Sequence, residues 1–257
     1  MVAYEKFTDN VYEKFGLNLK LYKEVQMKRR LTSLRNKNGF NNFTSYYAAI
    51  EQDVALRDEF IDRITINVSE FYRNPQRWDV LRDKVIPKLI AGKNNIRIWS
   101  AACSTGEEPY SLAILLKEHY SHINVSIIAS DIDDNALNRA REGCYESAAL
   151  LHIPKSKKSK YFTYKDNKYY VDPSLKKLIT FQKHNLLENP YPRNIDLIVC
   201  RNVLIYFTDE AKREIYSKFS QSLVSNGVLF VGSTEQIFQP QEYNFKLFDT
   251  FFYEKKD

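Results

Sequence analysis

From residue 96 onward, short apolar runs alternate with longer amphipathic stretches, and this alternation restricts the fold more than any other feature of the chain. Runs that are apolar on both faces and separated by helical stretches are typical of buried parallel strands. They occur at 96–101, 125–130, 179–181, 195–200 and 228–232. The pattern predicts an α/β fold with a doubly wound, mostly parallel sheet, completed by a pair of strands between 245 and 253.

One stretch does not follow the alternation. Residues 161–164 and 169–171 have strand patterns on either side of Asp166-Asn167, a dipeptide typical of a hairpin turn. With the strand at 179–181 nearby, we expect a small antiparallel β-subdomain inserted over about 155–182.

The chain before residue 70 has helical periodicity instead. Leu17, Leu21, Val25, Leu31 and Leu34 recur at three- to four-residue intervals, and two further amphipathic stretches follow. We therefore expect an all-helical domain over 1–70, a linker and connecting helix over 71–92, and the sheet domain over 93–257.

Composition limits the class of protein. Of the 257 residues, 44% are hydrophobic, and the three cysteines are far apart without a CxxC pair. This usage favours a reducing, cytoplasmic location and argues against a disulfide framework or a zinc site. The four histidines have no metal-site spacing, so we expect no metal. There is no apolar signal core at the start and no apolar run long enough for a membrane helix.

Basic residues are concentrated in two stretches. The segment 20–37 has seven Lys or Arg against one acid, and 155–183 has nine Lys against two acids. Such stretches attract acidic partners, including nucleic acid, anionic lipid and acidic protein surfaces. A solvated, solubilising face is the alternative interpretation.

The ends of the strands supply the candidate chemistry. The run 100–106 after the first strand consists of small residues and leads into a helix, but it is neither GxGxxG nor a P-loop. Asp131 ends the second strand, where a carboxylate typically accepts hydrogen bonds from ribose hydroxyls. These features favour a nucleoside without a phosphate chain, such as S-adenosylmethionine, and leave other nucleotides and small molecules open.

Three polar side chains follow the strand at 195–200, namely Arg201, Asn202 and Tyr206. Their position at the carboxyl end of a parallel strand predicts that they face a substrate. Taken singly, Tyr206 could instead pack in the core and Arg201 could pair with a surface acid.

Five motifs in order resemble one known family, the chemotaxis receptor glutamate methyltransferases of the CheR type. They are SEFYRNP at 69–75, WSAACSTGEEPYS at 99–111, ASDID at 129–133, NLL at 185–187 and CRNVLIYF at 200–207. The resemblance extends over nearly the whole chain, to GSTE at 232–235. It implies transfer of a methyl group from S-adenosylmethionine to receptor glutamates in the cytoplasm, with S-adenosylhomocysteine as product.

The resemblance also implies roles for individual residues. Glu107 would hold the methionine ammonium and Asp131 the ribose, while Asn185 and Leu186 flank the adenine. The remaining cofactor-binding residues would be Asn67, Ser69, Arg73, Arg201 and Asn202. Arg73 and Tyr206 are the family's candidates for orienting the substrate.

The implied partner is the acidic helical bundle of a chemotaxis receptor, with no nucleic acid and no membrane insertion. Lys28, Arg29, Arg30 and Arg35 are the candidate docking residues. Because the predicted hairpin turn is short, we expect no tethering to a peptide at the receptor's carboxyl terminus. Two alternatives remain: a methyltransferase of the same fold acting on RNA or a small molecule, and a non-catalytic cofactor-binding module.

Overall fold

The computed structural model describes residues 2–257, which form two compact units. The helical unit comprises the residues up to Asn67 together with Tyr206–Glu214. The sheet unit comprises Val68–Ile205 and Ile215–Asp257. The segment at 206–214 therefore belongs with the helices although it lies far along the chain. No helix among the described residues is sufficiently long and apolar to cross a membrane.

Four helices form the helical unit: α1 (Val2–Phe15), α2 (Glu24–Lys37), α3 (Phe43–Gln52) and α4 (Val54–Thr65). The side chains of Asn42 and Asp53 accept backbone N–H groups of the first turns of α3 and α4, which fixes where these helices begin. Phe7, Tyr46 and Phe60 are fully buried, with ring centroids 5.9–6.3 Å apart. These rings form the core of the unit.

The apolar repeat from Leu17 to Leu34 does not form one helix, so that expectation was wrong at its beginning. Residues Leu19–Leu21 form a 3₁₀ turn, α2 begins only at Glu24, and Val25 is 83% exposed. The physical reason is a competing pairing within the same unit. Tyr22 is extended and forms an antiparallel bridge with Phe207, which interrupts the helical path.

The sheet unit begins with a linker and a helical segment of three parts: α5 (Pro75–Val80), a π-helical turn (Leu81–Val85) and α6 (Ile86–Ile90). Proline at the first position suits the helix start, because its missing N–H has no intrahelical partner there. The widened turn ends two residues before Pro87, which cannot donate a backbone hydrogen bond.

Ten strands and five further helices complete the unit. The strands are β1 (Asn95–Ala101), β2 (Asn124–Asp131), β3 (Cys144–Tyr145), β4 (Phe162–Lys165), β5 (Lys168–Val171), β6 (Ile179–Lys183), β7 (Ile195–Cys200), β8 (Leu223–Val231), β9 (Phe245–Asp249) and β10 (Phe252–Lys255). The helices are α7 (Glu107–His119), α8 (Asp134–Glu142), α9 (Lys155–Tyr161), α10 (Pro173–Lys176) and α11 (Asp209–Ser222), of which α11 begins in the helical unit.

Seven strands form one sheet in the order β6-β2-β1-β7-β8-β10-β9. The pairings from β6 to β8 are parallel, and β10 is antiparallel to both β8 and β9. This confirms the predicted doubly wound, mostly parallel α/β class. Strand order reverses between β1 and β7, so a ligand site is expected beyond their carboxyl ends.

A second sheet of three antiparallel strands, β3-β5-β4, is inserted after α8. Its hairpin turn is Asp166-Asn167, with both residues in the left-handed region at φ 51° and 62°. The expected composition of this insertion needs one correction. Ile179–Lys183 pairs with β2 at the edge of the large sheet, and the third strand is Cys144–Tyr145, which precedes the predicted range of 155–182.

Candidate active site

The turn between β1 and α7 has an unusual backbone. Ala102, Ser104 and Gly106 all have positive φ, at 62°, 48° and 96°. A Cβ added to Gly106 would lie 2.9 Å from the Cβ of Ala140 and 3.0 Å from the hydroxyl of Tyr145. The turn therefore combines left-handed residues with a close approach that only glycine allows. Its alternating conformation directs the backbone N–H of Ser104 toward the end of β2.

Asp131 receives that N–H group. Its Oδ2 accepts from Ser104 N at 2.7 Å, and its Oδ1 accepts from Asp133 N at 3.0 Å. The residue is only 6% exposed, and burial raises the pKa of its carboxyl group to about 6 despite these bonds. The structure thus places a carboxylate, with further acceptor capacity, at the carboxyl end of β2.

Glu107 is the first residue of α7, where the helix dipole favours an anion. Its Oε2 accepts from the Thr105 hydroxyl at 2.7 Å, and Ser69 also bonds to its side chain. Burial raises the pKa of this carboxyl group, while the bonds from Thr105 and Ser69 act in the opposite direction. The predicted pair Ser69 and Glu107 is therefore in direct contact.

A cavity of about 610 Å³ adjoins Glu107 and Thr105. Tyr145 forms part of its wall and donates its hydroxyl to the Thr105 carbonyl at 2.7 Å. Because β3 belongs to the inserted sheet, the insertion supplies one wall of this space. The cavity gives a ligand access to the carboxylate of Glu107.

Asn185 and Leu186 follow β6, the neighbour of β2. The backbone N of His184 donates to the Asp131 carbonyl at 2.8 Å, so this segment begins beside Asp131. The Asn185 side chain accepts from Leu187 N at 3.0 Å, and Leu186 is buried. Three predicted cofactor residues, Asp131, Asn185 and Leu186, are thus brought to one edge of the sheet.

Arg201 lies at the end of β7 and is only 8% exposed. One terminal nitrogen, Nη2, donates to the Arg73 carbonyl at 2.7 Å and to Asn74 Oδ1 at 2.9 Å. Its Nη1 lies 3.6 Å from Glu108 Oε2. The guanidinium is therefore engaged in holding the linker, and the predicted residues Arg73 and Arg201 are joined through the backbone of Arg73.

The side chain of Arg73 contacts the backbone of the same linker, because its Nη1 donates to the Val68 carbonyl at 3.3 Å. The Arg73 carbonyl also accepts from the indole N–H of Trp78 at 3.0 Å.

Asn202 follows Arg201 in the left-handed region, at φ 61°. Its backbone N donates to Glu235 Oε2 at 2.6 Å, and its Oδ1 is buried without a hydrogen-bond partner among the described residues.

Two of the predicted site residues belong to the helical unit. The Asn67 amide donates to Asp62 Oδ1 and to Thr65 Oγ1, both at 3.2 Å. The Tyr206 carbonyl accepts from Lys23 N at 2.9 Å, next to the bridge that Phe207 forms. Tyr206 is therefore held by the segment that leads into α2.

The four candidate docking residues all lie on α2. Lys28 lies over the ring of Tyr4, Arg30 over Tyr206 and Arg35 over Phe43, at 4.7–5.3 Å from the ring centroids. Arg29 is exposed. Of these four cations, Arg29 is exposed and the other three contact aromatic rings of their own unit.

Sequence reasoning gave no role to two carboxylates near the site, the partly buried Glu108 and the buried Glu235. Glu108 accepts from the Ser100 hydroxyl at 2.8 Å in addition to its contact with Arg201. The only sequence signal for Glu108 was its place in the first turn of α7, and for Glu235 its place at the end of the last motif. The contacts of Glu108 with Arg201 and of Glu235 with the loop after β7 join residues too distant in the chain to be inferred from either signal.

The two site carboxylates fit the expected cofactor. Within the described part of the chain, neither Asp131 nor Glu107 forms a salt bridge, although both are buried. A ligand that offers hydrogen-bond donors or a cation would stabilise such carboxylates further. S-adenosylmethionine offers ribose hydroxyls for Asp131 and an ammonium for Glu107. No group of three or more His, Cys, Asp or Glu suited to a metal ion occurs among the residues described.

Comparison with known proteins agrees with this site. The family described as "CheR methyltransferase, SAM binding domain" matches residues 67–252, and "CheR methyltransferase, all-alpha domain" matches residues 3–65. A chemotaxis protein methyltransferase of Listeria innocua is 45% identical over 98% of this chain and 97% of its own length. A protein of the same name from Borreliella burgdorferi is 39% identical over 88% of this chain and 85% of its own. The chain therefore belongs to the CheR family of S-adenosylmethionine-dependent methyltransferases.

Proposed function

We propose that this protein methylates glutamate side chains of chemotaxis receptors, forming glutamate methyl esters in the cytoplasm. The observation that carries the proposal is the pair of buried carboxylates, Asp131 and Glu107, on either side of the turn after β1. Each carboxylate can accept a hydrogen bond or ion pair from a donor group of S-adenosylmethionine. The names of the relatives, chemotaxis protein methyltransferases, support the receptor as substrate.

In this proposal Glu107, assisted by Ser69, holds the ammonium, and Asp131 holds the ribose. Asn185 and Leu186 flank the adenine, and Asn67 is a further cofactor-binding residue. Arg201 contributes by holding the linker that presents Arg73. Asn202 lies next to Arg201, in the loop after β7, and contributes to cofactor binding. Arg73 and Tyr206 orient the incoming glutamate.

The reaction needs little from the protein beyond alignment. S-adenosylmethionine, when bound, supplies an electrophilic methyl group. A glutamate carboxyl with a pKa of about 4.3 is already an anion near neutral pH, so no general base is required. Positioning of two reactants can contribute about 7–11 kcal/mol to lowering a barrier. A loose hydrogen bond from Arg73 or Tyr206 orients the carboxylate without the ground-state stabilisation that a tight bidentate pair would cause.

The inserted sheet supports direct recognition of the receptor without peptide tethering. Its hairpin turn has two residues, and the Tyr164 hydroxyl donates to Asn167 Oδ1 at 3.2 Å across it. Such a tight turn offers no loop that could enclose a peptide. Calorimetry with an isolated peptide from the receptor's carboxyl terminus tests this point, and tight binding would contradict it.

The function is tested by incubating the protein with cofactor carrying a radiolabelled methyl group, a receptor cytoplasmic fragment and, separately, RNA. We expect label on the receptor fragment that base releases as methanol, because carboxyl methyl esters are base-labile. Asp131→Asn should lose this activity, while the exposed neighbour Asp134→Asn should keep it. Base-stable label on RNA, or no transfer to either substrate, would reject the proposal.

A further inference from the structure

A buried carboxylate, Glu235, follows β8 and contacts the loop that follows β7. Glu235 is 5% exposed and forms no salt bridge in the part of the chain that the structure describes. Burial raises the pKa of its carboxyl group, and hydrogen bonds from the backbone act in the opposite direction. An anion in such surroundings is retained only where hydrogen-bond donors replace water.

Those donors are all backbone N–H groups. Oε2 accepts from Asn202 at 2.6 Å and from Gly232 at 2.8 Å, and Oε1 accepts from Leu204 at 2.7 Å. A longer bond of 3.4 Å comes from Ile205. Bonds to an ionised acceptor are shorter and stronger than neutral ones, so Glu235 fixes three positions of the loop at once.

The backbone around Glu235 is shaped to admit it. A Cβ on Gly232 would lie 2.4 Å from Glu235 Oε2 and 2.9 Å from Asn202 N, so the absence of a side chain there is a requirement. Asn202 itself is in the left-handed region, a conformation that costs a non-glycine residue free energy and persists only where the surroundings compensate for that cost. The bond from its N–H to Glu235 is one contact that holds Asn202 there.

We infer that Glu235 is a positioning residue, which sets the conformation of the strand-end loop 201–205 and thereby the placement of Asn202. The claim that the placement of Asn202 affects turnover rests on the proposed function. The claim that the Glu235 carboxylate holds the loop does not depend on which reaction the protein catalyses.

The experiment compares Glu235→Gln with the exposed-surface control Glu242→Gln, using backbone amide NMR and steady-state kinetics together. We expect the amide proton resonances of Asn202 and Leu204 to lie downfield in the parent protein and to move upfield in Glu235→Gln alone. A misplaced loop can reduce turnover by up to about 100-fold. Turnover should therefore fall by more than the affinity for S-adenosylhomocysteine does, and Glu242→Gln should match the parent in both measurements.

Gly232→Ala provides a second route to the same contact, because the added methyl displaces the carboxylate without removing it. The two variants should shift the same amide resonances, and the double variant should be no worse than the more affected single one. Unmoved resonances in both variants would overturn the inference as a whole, and shifted resonances with undiminished turnover would overturn its catalytic part. If the parent protein itself does not methylate the receptor fragment, the proposed function fails, while the amide shifts still decide whether Glu235 holds the loop.

Discussion

The guanidinium of Arg30 lies over the ring of Tyr206, 5.3 Å from its Cζ to the ring centroid. The same side chain donates through Nη1 to the Ile64 carbonyl at 3.4 Å, so Arg30 joins α2, the end of α4 and the segment at 206–214. Burial lowers the pKa of Arg30, while Tyr206 acts in the opposite direction. The proposed docking helix and the proposed substrate-orienting tyrosine thus share one contact within the helical unit.

This contact leads to a prediction about α2. Arg30→Met removes a cation–π interaction worth about 0.5–2 kcal/mol, and we expect turnover on the receptor fragment to fall by about 2- to 30-fold. Affinity for S-adenosylhomocysteine, measured by calorimetry, should be unchanged. Arg29→Met is the matched control: as an exposed cation it should affect KM, with a dependence on salt, and leave kcat unaltered. Equal effects of the two substitutions on KM alone would show that Arg30 serves only in docking.

The sequence was sufficient for the main features of the fold and for part of the site. The apolar runs identified the parallel strands because burial on both faces leaves little polar surface in such strands. Asp131 was identifiable because its place at the end of a strand follows from a local pattern, whereas Glu107 was singled out only by the family resemblance. Their roles toward a cofactor remain predictions.

The rest of the site depends on contacts between distant parts of the chain. Arg201 bonds to the carbonyl of Arg73, 128 residues earlier, and Glu235 bonds to Asn202, 33 residues earlier. No periodicity or composition of the sequence predicts either of these two contacts. The strand at 179–181 was correctly expected in the parallel sheet. The predicted bounds of the insertion, 155–182, nevertheless overlapped it, because the sequence alone does not show where the inserted hairpin region ends.

Glu107→Gln is predicted to weaken cofactor binding. A charge-assisted hydrogen bond contributes about 1.5–3 kcal/mol, so loss of the ionised acceptor for the methionine ammonium should reduce affinity by about 10- to 150-fold. Calorimetric titration with S-adenosylhomocysteine measures this directly. Glu142→Gln is the control, because Glu142 lines the same cavity with an exposed side chain. Retention of full affinity by Glu107→Gln would remove Glu107 from the cofactor site.

Asp131 should make the free energy of unfolding of the cofactor-free protein decrease as the pH rises. Its carboxyl pKa rises from 3.8 to about 6 on folding, so the folded state holds the proton at pH values where the unfolded state has lost it. The contribution of Asp131 to the free energy of unfolding is therefore fully present below pH 3.8 and is lost as the pH rises through about 6. The shift corresponds to at most about 3 kcal/mol.

Asp131→Asn cannot titrate at this position. The difference in free energy of unfolding, variant minus parent, should therefore increase between about pH 4 and pH 7, whatever its absolute value. Urea denaturation of both proteins across this range measures the difference, and Asp134→Asn on the adjacent surface provides the comparison. A constant difference for Asp131→Asn would show that this carboxyl is not perturbed by folding.

Arg201→Lys tests whether the buried guanidinium stabilises the linker. Lysine preserves the charge but lacks the planar fork that places one nitrogen near Glu108 and another between the Arg73 carbonyl and Asn74. Loss of even one of these charge-assisted bonds should lower the free energy of unfolding by at least about 1.5 kcal/mol. Urea denaturation monitors the effect, with the exposed Arg193→Lys as control, for which a change within about 0.5 kcal/mol is expected.

Since the Arg73 carbonyl would retain only its bond from Trp78, amide exchange in the linker should accelerate in Arg201→Lys alone. Equal stability and equal exchange in the two variants would mean that Arg201 does not hold the linker and that its role must lie elsewhere.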